Sequence, residues 1–114
     1  MSLLSTLFGI KKEASDKIKI LDRNTYANAI LGKNVQLIDV RTSNEFNEGH
    51  IKNAINIDFF NVTNFKNSFN KLNKEQAIYI YCRSGARSQK AARKLVDMGF
   101  TKIYDLKGGY SRWG

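Results

Sequence analysis

The sequence holds one cysteine, one histidine and no proline among its 114 residues. A single cysteine excludes an internal disulfide framework. One cysteine with one histidine also leaves a structural zinc site, which wants four ligands, short of donors. No apolar run approaches the ~20 residues of a membrane-spanning helix, so the chain does not read as an integral membrane protein. No segment recurs at a period of about 20–50 residues, which excludes a solenoid or propeller. Without proline, element boundaries must come from Gly, Asn and Asp.

What is present suits one ordinary domain. About 42% of the residues are apolar, enough for a layered core around a sheet. Nineteen Lys and Arg against ten Asp and Glu give a net charge of +9. The excess is lopsided: residues 1–57 carry 8 basic and 6 acidic side chains, and residues 58–114 carry 11 and 4. The cysteine lies in the basic half. Nucleic acid, acidic lipid or a small anionic substrate all fit that balance. The basic residues are spread over several elements rather than one stripe, and no nucleic-acid-binding motif accompanies them, so specific nucleic-acid binding is not expected.

Residues 1–17 open on an apolar stretch and then turn charged, the reverse of the order in a secretory signal. They read as a short helical or disordered arm whose Leu3, Leu4, Leu7 and Phe8 dock on the domain. The domain itself is expected over residues 18–114. Ile18–Leu21 is a brief strand, after which Asp22 caps a helix carrying Tyr26, Ala27, Ile30 and Leu31, with Gly32 as its left-handed stop. Val35–Val40 and Ala54–Ile57 read as strands. Between them Thr42 and Glu45 have the spacing of a capping box. Val62, Phe65, Phe69 and Leu72 share one helix face. Ala77–Tyr81 is the most β-like run, and it ends at Cys82. Ser88, Ala91, Ala92, Leu95 and Met98 line one face of a strong amphipathic helix, which Gly99 stops, with Phe100 folding back on Leu95. Lys102–Tyr104 is a last short strand, and residues 108–113 form a turn and a small helical cap. Strands alternating with helices through short links predict an α/β domain with a mostly parallel sheet.

In such sheets the binding crevice lies at the carboxyl ends of the strands, and Cys82 stands at one of them. Arg83, Ser84, Gly85, Ala86 and Arg87 follow, and then a helix. Cys82–Arg87 can curl so that successive backbone N–H groups point at one sulfur or anion. The small residues Ser84, Gly85 and Ala86 let the backbone close tightly. The helix N-terminus adds partial positive charge, and two guanidinium groups flank the thiol. All of this favours thiolate over thiol, so Cys82 is expected to be nucleophilic near neutral pH. His50, the sole histidine, sits between a glycine and a strand. It reads as a surface turn residue rather than a base.

The stretch YIYCRSGARSQKAARKLVDMGF, with LIDVRTSNEFNEGHIKNAINI upstream and LKGGYSRW at the end, resembles a rhodanese domain. The resemblance runs from Lys19 to Trp113, in the family's order. It implies a single-domain rhodanese, a three-layer α/β fold with about five mostly parallel strands between helices. It also implies sulfur transfer through a cysteine persulfide, with Cys82 as the nucleophile. Arg83 matches the arginine that often follows in members using thiosulfate, and Arg87 the closing position of the loop. Asp39, Arg41 and Glu45 match the family's Asp-x-Arg…Glu pattern. They are read as structural support, with the Arg41 guanidinium pairing with Glu45.

The expected chemistry follows from charge. An anionic donor such as thiosulfate enters the basic mouth, where Arg83 and Arg87 hold its oxyanion end. The Cys82 thiolate takes the outer sulfur, and the amides of Arg83, Ser84, Gly85, Ala86, Arg87 and Ser88 stabilise the persulfide. A thiol, cyanide or a protein acceptor then removes it. No metal or organic cofactor is called for, and a cytoplasmic location is expected. One alternative is a sulfur-relay or binding module serving a protein partner through the same loop. Another is a cysteine phosphatase or arsenate reductase, but those enzymes generally use a loop one residue wider, cut for a tetrahedral anion.

Overall fold

The computed structural model describes residues 16–114. The proposed docking of Leu3, Leu4, Leu7 and Phe8 lies outside the described residues. Five strands form the sheet: β1 (Ile18–Leu21), β2 (Gln36–Asp39), β3 (Ile55–Asn56), β4 (Ile78–Tyr81) and β5 (Ile103–Leu106). Their order is β1-β5-β4-β2-β3, and every pairing is parallel. Four helices connect them: α1 (Arg23–Ala29), α2 (Ser43–Glu48), α3 (Val62–Asn70) and α4 (Ala86–Asp97), followed by a 3-10 turn at Tyr110–Arg112. The α/β architecture with a five-stranded parallel sheet is the one the alternation of patterns predicts.

Strand side chains alternate between two cores, as a period of two requires. Ile38, Ile78, Ile80 and Ile103 face α3 and α4, where Phe65, Phe69, Ala91, Ala92 and Leu95 meet them. Leu37, Tyr81 and Leu106 face the other way, toward Tyr26 of α1 and the partly buried Tyr110 and Trp113. Both faces of the sheet are covered, which explains why β4 reads as a continuous apolar run rather than an alternating one.

The caps follow their sequence signals closely. Asp22 accepts from the Thr25 amide at 2.8 Å. Thr42 and Glu45 complete a reciprocal capping box at the start of α2. Past α4, Gly99 takes φ +105°, and the Gly99 and Phe100 amides donate to the Val96 and Leu95 carbonyls, each at 3.0 Å. That is the complete Schellman closure.

Several boundaries differ from expectation, α1 among them: it ends at Ala29, with Ile30 as its C-cap and Leu31 exposed beyond it. After α1 the left-handed residue is Asn34 (φ 60°) rather than Gly32, because an Asn side chain tolerates that conformation. Helix α3 stops at Asn70, and Leu72 packs on the core from the following turn. Strand β5 runs on to Leu106, so that it pairs with both β1 and β4.

Candidate active site

Strand β4 delivers Cys82 at the carboxyl edge of the sheet, between β5 and β2. The chain then turns through Arg83 and Ser84 to Gly85, which takes φ +115° as the N-cap of α4. This left-handed step swings the Gly85 amide back toward the cysteine, and its N–H donates to Cys82 Sγ at 3.0 Å. The Cys82 thiol in turn meets Ser88 Oγ at 3.3 Å, and the Ser88 hydroxyl donates to the Gly85 carbonyl at 3.2 Å. Cys82 and Ser88 are both buried, while Arg83, Ser84 and Ala86 are exposed. Of the loop amides expected around the sulfur, Gly85 is the one that reaches Sγ itself.

The back of this loop is braced by residues 108–113, the turn and small helical cap expected after the last strand. The Tyr110 amide donates to the Cys82 carbonyl at 2.8 Å, and the Ser111 amide to the Arg83 carbonyl at 3.0 Å. Gly109 makes the approach possible. A Cβ there would lie 2.5 Å from the Arg83 oxygen and 2.6 Å from that of Cys82, and its φ is +62°. The sequence signal was the Gly108-Gly109 pair directly after a strand, which marks close backbone approach.

At the front, the expected Arg41–Glu45 pair does not form. Arg41 turns instead to Asp39, with Nε 3.0 Å from both carboxylate oxygens and Nη2 2.6 Å from Oδ2. The cause is local. The Arg41 amide also donates to Asp39 Oδ1 at 2.8 Å, which folds the chain over its own aspartate just past β2. The same guanidinium donates to the Gly49 carbonyl at 2.7 Å and lies 4.4 Å from the Tyr110 ring centre. It thereby ties the α2 exit to the brace behind the loop.

Glu45 is paired with Arg87. The two form a fork, Nη1–Oε1 at 2.6 Å and Nη2–Oε2 at 2.9 Å, across 42 residues of sequence. The Arg87 bonds, countered in part by burial and joined by the Thr42 contacts, lower the Glu45 carboxyl to about 2. Arg87 thus has a fixed partner that sequence reasoning gave to Arg41. Arg83 makes no ion pair or side-chain hydrogen bond among the described residues, and it lines a cleft of about 390 Å³ with Arg41, Glu45, Glu48, Gly49, Tyr110 and Ser111. Cys82 does not itself line that cleft; its neighbour Arg83 does. His50 is exposed and stacked on Phe46, with Nδ1 2.8 Å from the Phe46 carbonyl, and takes no part in the cysteine's contacts. No group of three or more His, Cys, Asp or Glu placed to hold a metal ion occurs among the described residues. No helix among them is long and apolar enough to cross a membrane.

The arrangement is a single sulfur held against one backbone amide at a helix N-terminus, beside a cleft where the Arg83 guanidinium has no partner among the described residues. It suits a nucleophile that must carry negative charge while an anion approaches. Comparisons with known proteins point the same way. The rhodanese-like domain family matches residues 22–114. A thiosulfate sulfurtransferase, GlpE of Shewanella oneidensis, is 35% identical over 95 residues, covering 83% of this chain and 91% of that one. The uncharacterized protein YqhL of Bacillus subtilis is 43% identical over 82 residues, covering 72% of this chain but only 63% of the relative's length. Among solved structures, a rhodanese-like domain protein from Staphylococcus aureus superposes with a TM-score of 0.73 at 33% identity, covering 84% of this chain and 91% of that one.

Proposed function

The chain belongs to the rhodanese-like domain family, and we propose that it moves sulfane sulfur from an anionic donor such as thiosulfate to a thiophilic acceptor through a Cys82 persulfide. The observation that carries the reading is the Gly85 amide aimed at Cys82 Sγ from the first turn of α4. An amide held there by backbone geometry needs no reorganisation when charge builds on sulfur. The name of the Shewanella relative supports thiosulfate as the donor.

In the first half-reaction the Cys82 thiolate attacks the outer sulfur of thiosulfate. A new S–S bond forms, the donor's S–S bond breaks, and its electron pair leaves with sulfite. Cys82 is left as a persulfide whose outer sulfur carries the negative charge, held by the exposed amides of the loop. In the second half-reaction a thiol, cyanide or a protein acceptor takes that outer sulfur and returns the thiolate. Arg83 is the donor-holding guanidinium, since it lines the cleft and has no partner of its own among the described residues. Arg87, expected to share that task, spends its fork on Glu45 and holds the loop instead. Its remaining contribution to the donor is through space.

Intact-mass measurement after thiosulfate treatment tests the reading. The wild-type protein should gain the mass of one sulfur atom, and Cys82→Ala should gain nothing. Arg83→Ala should still load, but at a rate lowered about tenfold, in line with one charge-assisted contact of about 1.5 kcal/mol. Equal sulfur uptake by wild type and Cys82→Ala, or none by either, would reject the persulfide mechanism.

A further inference from the structure

Behind the cysteine lies a carboxylate that the sulfur chemistry does not use. Asp105 is on β5, opposite Ile80 in register and two residues from Ile103, so it points into the core beneath α4 rather than toward solvent. It is 1% exposed, and its Oδ1 has no hydrogen-bond partner among the described residues. Cys82 lies two residues beyond Ile80 on the same side of the sheet. Between the acid and the sulfur stands Ser88, fully buried, with its hydroxyl 3.3 Å from Sγ. Burial pushes the Asp105 carboxyl up to about 7, against the opposing pull of the Ser88 hydroxyl and the Leu106 amide.

Among the described residues no cation stands beside Asp105. From α4 the facing group is Ser88, because Arg87 is turned to Glu45. From β1 it is Ile20, its partner in register. Tyr26 of α1 lies on the opposite face of the sheet, its phenol bonded to the Ile80 carbonyl and held well above the ordinary tyrosine value by burial first and then by the charge of Asp105. From β4 the side chain next along that face toward the site is Cys82, two residues beyond Ile80.

We propose that Asp105 is a positioning residue for Cys82, acting through Ser88: as the neutral acid it donates to the Ser88 hydroxyl, which donates to an anionic sulfur, and as the carboxylate it withdraws that support. With the thiol protonated, the chain runs from Cys82 S–H to Ser88 and from Ser88 to the Gly85 carbonyl, the arrangement observed. An anionic sulfur has no proton to give, so the Ser88 hydroxyl turns to donate to it. That leaves the Ser88 oxygen free to accept from a protonated carboxyl. An ionised Asp105 can only accept, so it draws the hydroxyl away and sets a second negative charge beside the first in a dry site. An orphaned carboxyl oxygen is also far less costly on a neutral acid than on a carboxylate. The inference rests on the proposed function only in taking Cys82 as the reacting atom.

Alkylation of Cys82 by iodoacetamide, followed from pH 5 to pH 9, tests it without any sulfur donor. Asp105→Asn keeps an N–H donor and removes the titration. Its rate should match wild type below about pH 6 and exceed it above pH 7, by about three- to tenfold at pH 8, the size of coupling expected between two neighbouring titrating groups. Asp105→Leu, which cannot donate, should fall below wild type at pH 6. Superimposed wild-type and Asp105→Asn profiles would overturn the proposal. Should Asp105→Asn not fold, the infrared carboxyl titration of the wild-type protein decides instead. It should move when Cys82 is blocked, and an unmoved titration overturns the proposal equally. Failure of the wild-type protein to load sulfur from thiosulfate would count against the proposed function and leave this coupling standing.

Discussion

The carboxylates in front of the cysteine loop and the one behind it meet burial in opposite ways. In front, Asp39 is wholly buried and grips Arg41 through its amide and three guanidinium contacts, while Glu45 forks with Arg87. Behind, Asp105 is equally buried and has no cation beside it among the described residues. The front acids therefore act as fixed charges that pin backbone, tying β2 to the α2 exit and α2 to the loop's closing position. The rear acid is free to gain and lose its proton in the neutral range. One side of the site sets its shape, and the other responds to its medium. Changing one acid at a time separates the two roles.

The largest effect is expected at the front. Asp39→Ala strands the Arg41 guanidinium, itself 4% exposed, without a counter-charge. Removing one partner of a buried pair typically costs about 3–5 kcal/mol. Chemical denaturation should show a loss of that order, together with loosening of the Gly49 turn that Arg41 holds. A loss under about 1 kcal/mol would mean that the pair is not the tie described.

Asp105→Asn should move stability in the opposite sense, and only at higher pH. A carboxyl raised from 3.8 to about 7 binds its proton more tightly in the folded chain than in the unfolded one. Stability from that group is therefore greatest below pH 3.8 and declines as pH rises toward 7. Removing the titration should make the variant gain on wild type between pH 5 and pH 8, by roughly 2 kcal/mol at about 1.4 kcal/mol per pH unit. Urea titrations at both pH values measure the difference, in which the pH-independent cost of burying an amide cancels. A constant difference between variant and wild type would show that Asp105 is not held protonated by its burial.

Much of this frame is legible in the sequence because it is local. The Thr42–Glu45 spacing, the Gly99-Phe100 stop and the small residues after Cys82 each encode a contact within a few residues. The pairing of Arg87 with Glu45 spans 42 positions, and no local pattern chooses between two arginines for one glutamate. What decided it was the turn at Arg41, whose amide commits it to Asp39. The brace through Gly109, Tyr110 and Ser111 is signalled by the Gly108-Gly109 pair as a close approach, but what it approaches depends on β5 lying beside β4. Asp105 had a fainter signal. In Ile103–Leu106 it falls two residues after an isoleucine, on the core side of a period-two pattern, where a carboxylate is out of place.

The smallest effect sharpens the comparison from the acid side. Glu45 titrates at about 2 in the folded chain against an ordinary value of 4.5, chiefly through its bonds to Arg87. A depressed carboxylate contributes stability that is complete above pH 4.5 and lost as pH falls toward 2, the reverse of Asp105. The side chains of the pair are 20% and 26% exposed, so water screens part of the attraction. A contribution of about 1–2 kcal/mol at neutral pH is reasonable after that discount. Glu45→Gln keeps an oxygen for the Thr42 capping contact and removes the charge, so it isolates the fork from the cap. The variant should be less stable than wild type at pH 7 and converge on it as pH falls from 4.5 to about 2, while sulfur loading at neutral pH slows only modestly. Convergence is the decisive result, because a deficit that stayed undiminished from pH 4.5 down to about pH 2 would have to come from altered capping or packing. In that case the front of the site would not owe its shape to charge, and the contrast with Asp105 would reduce to a difference in packing.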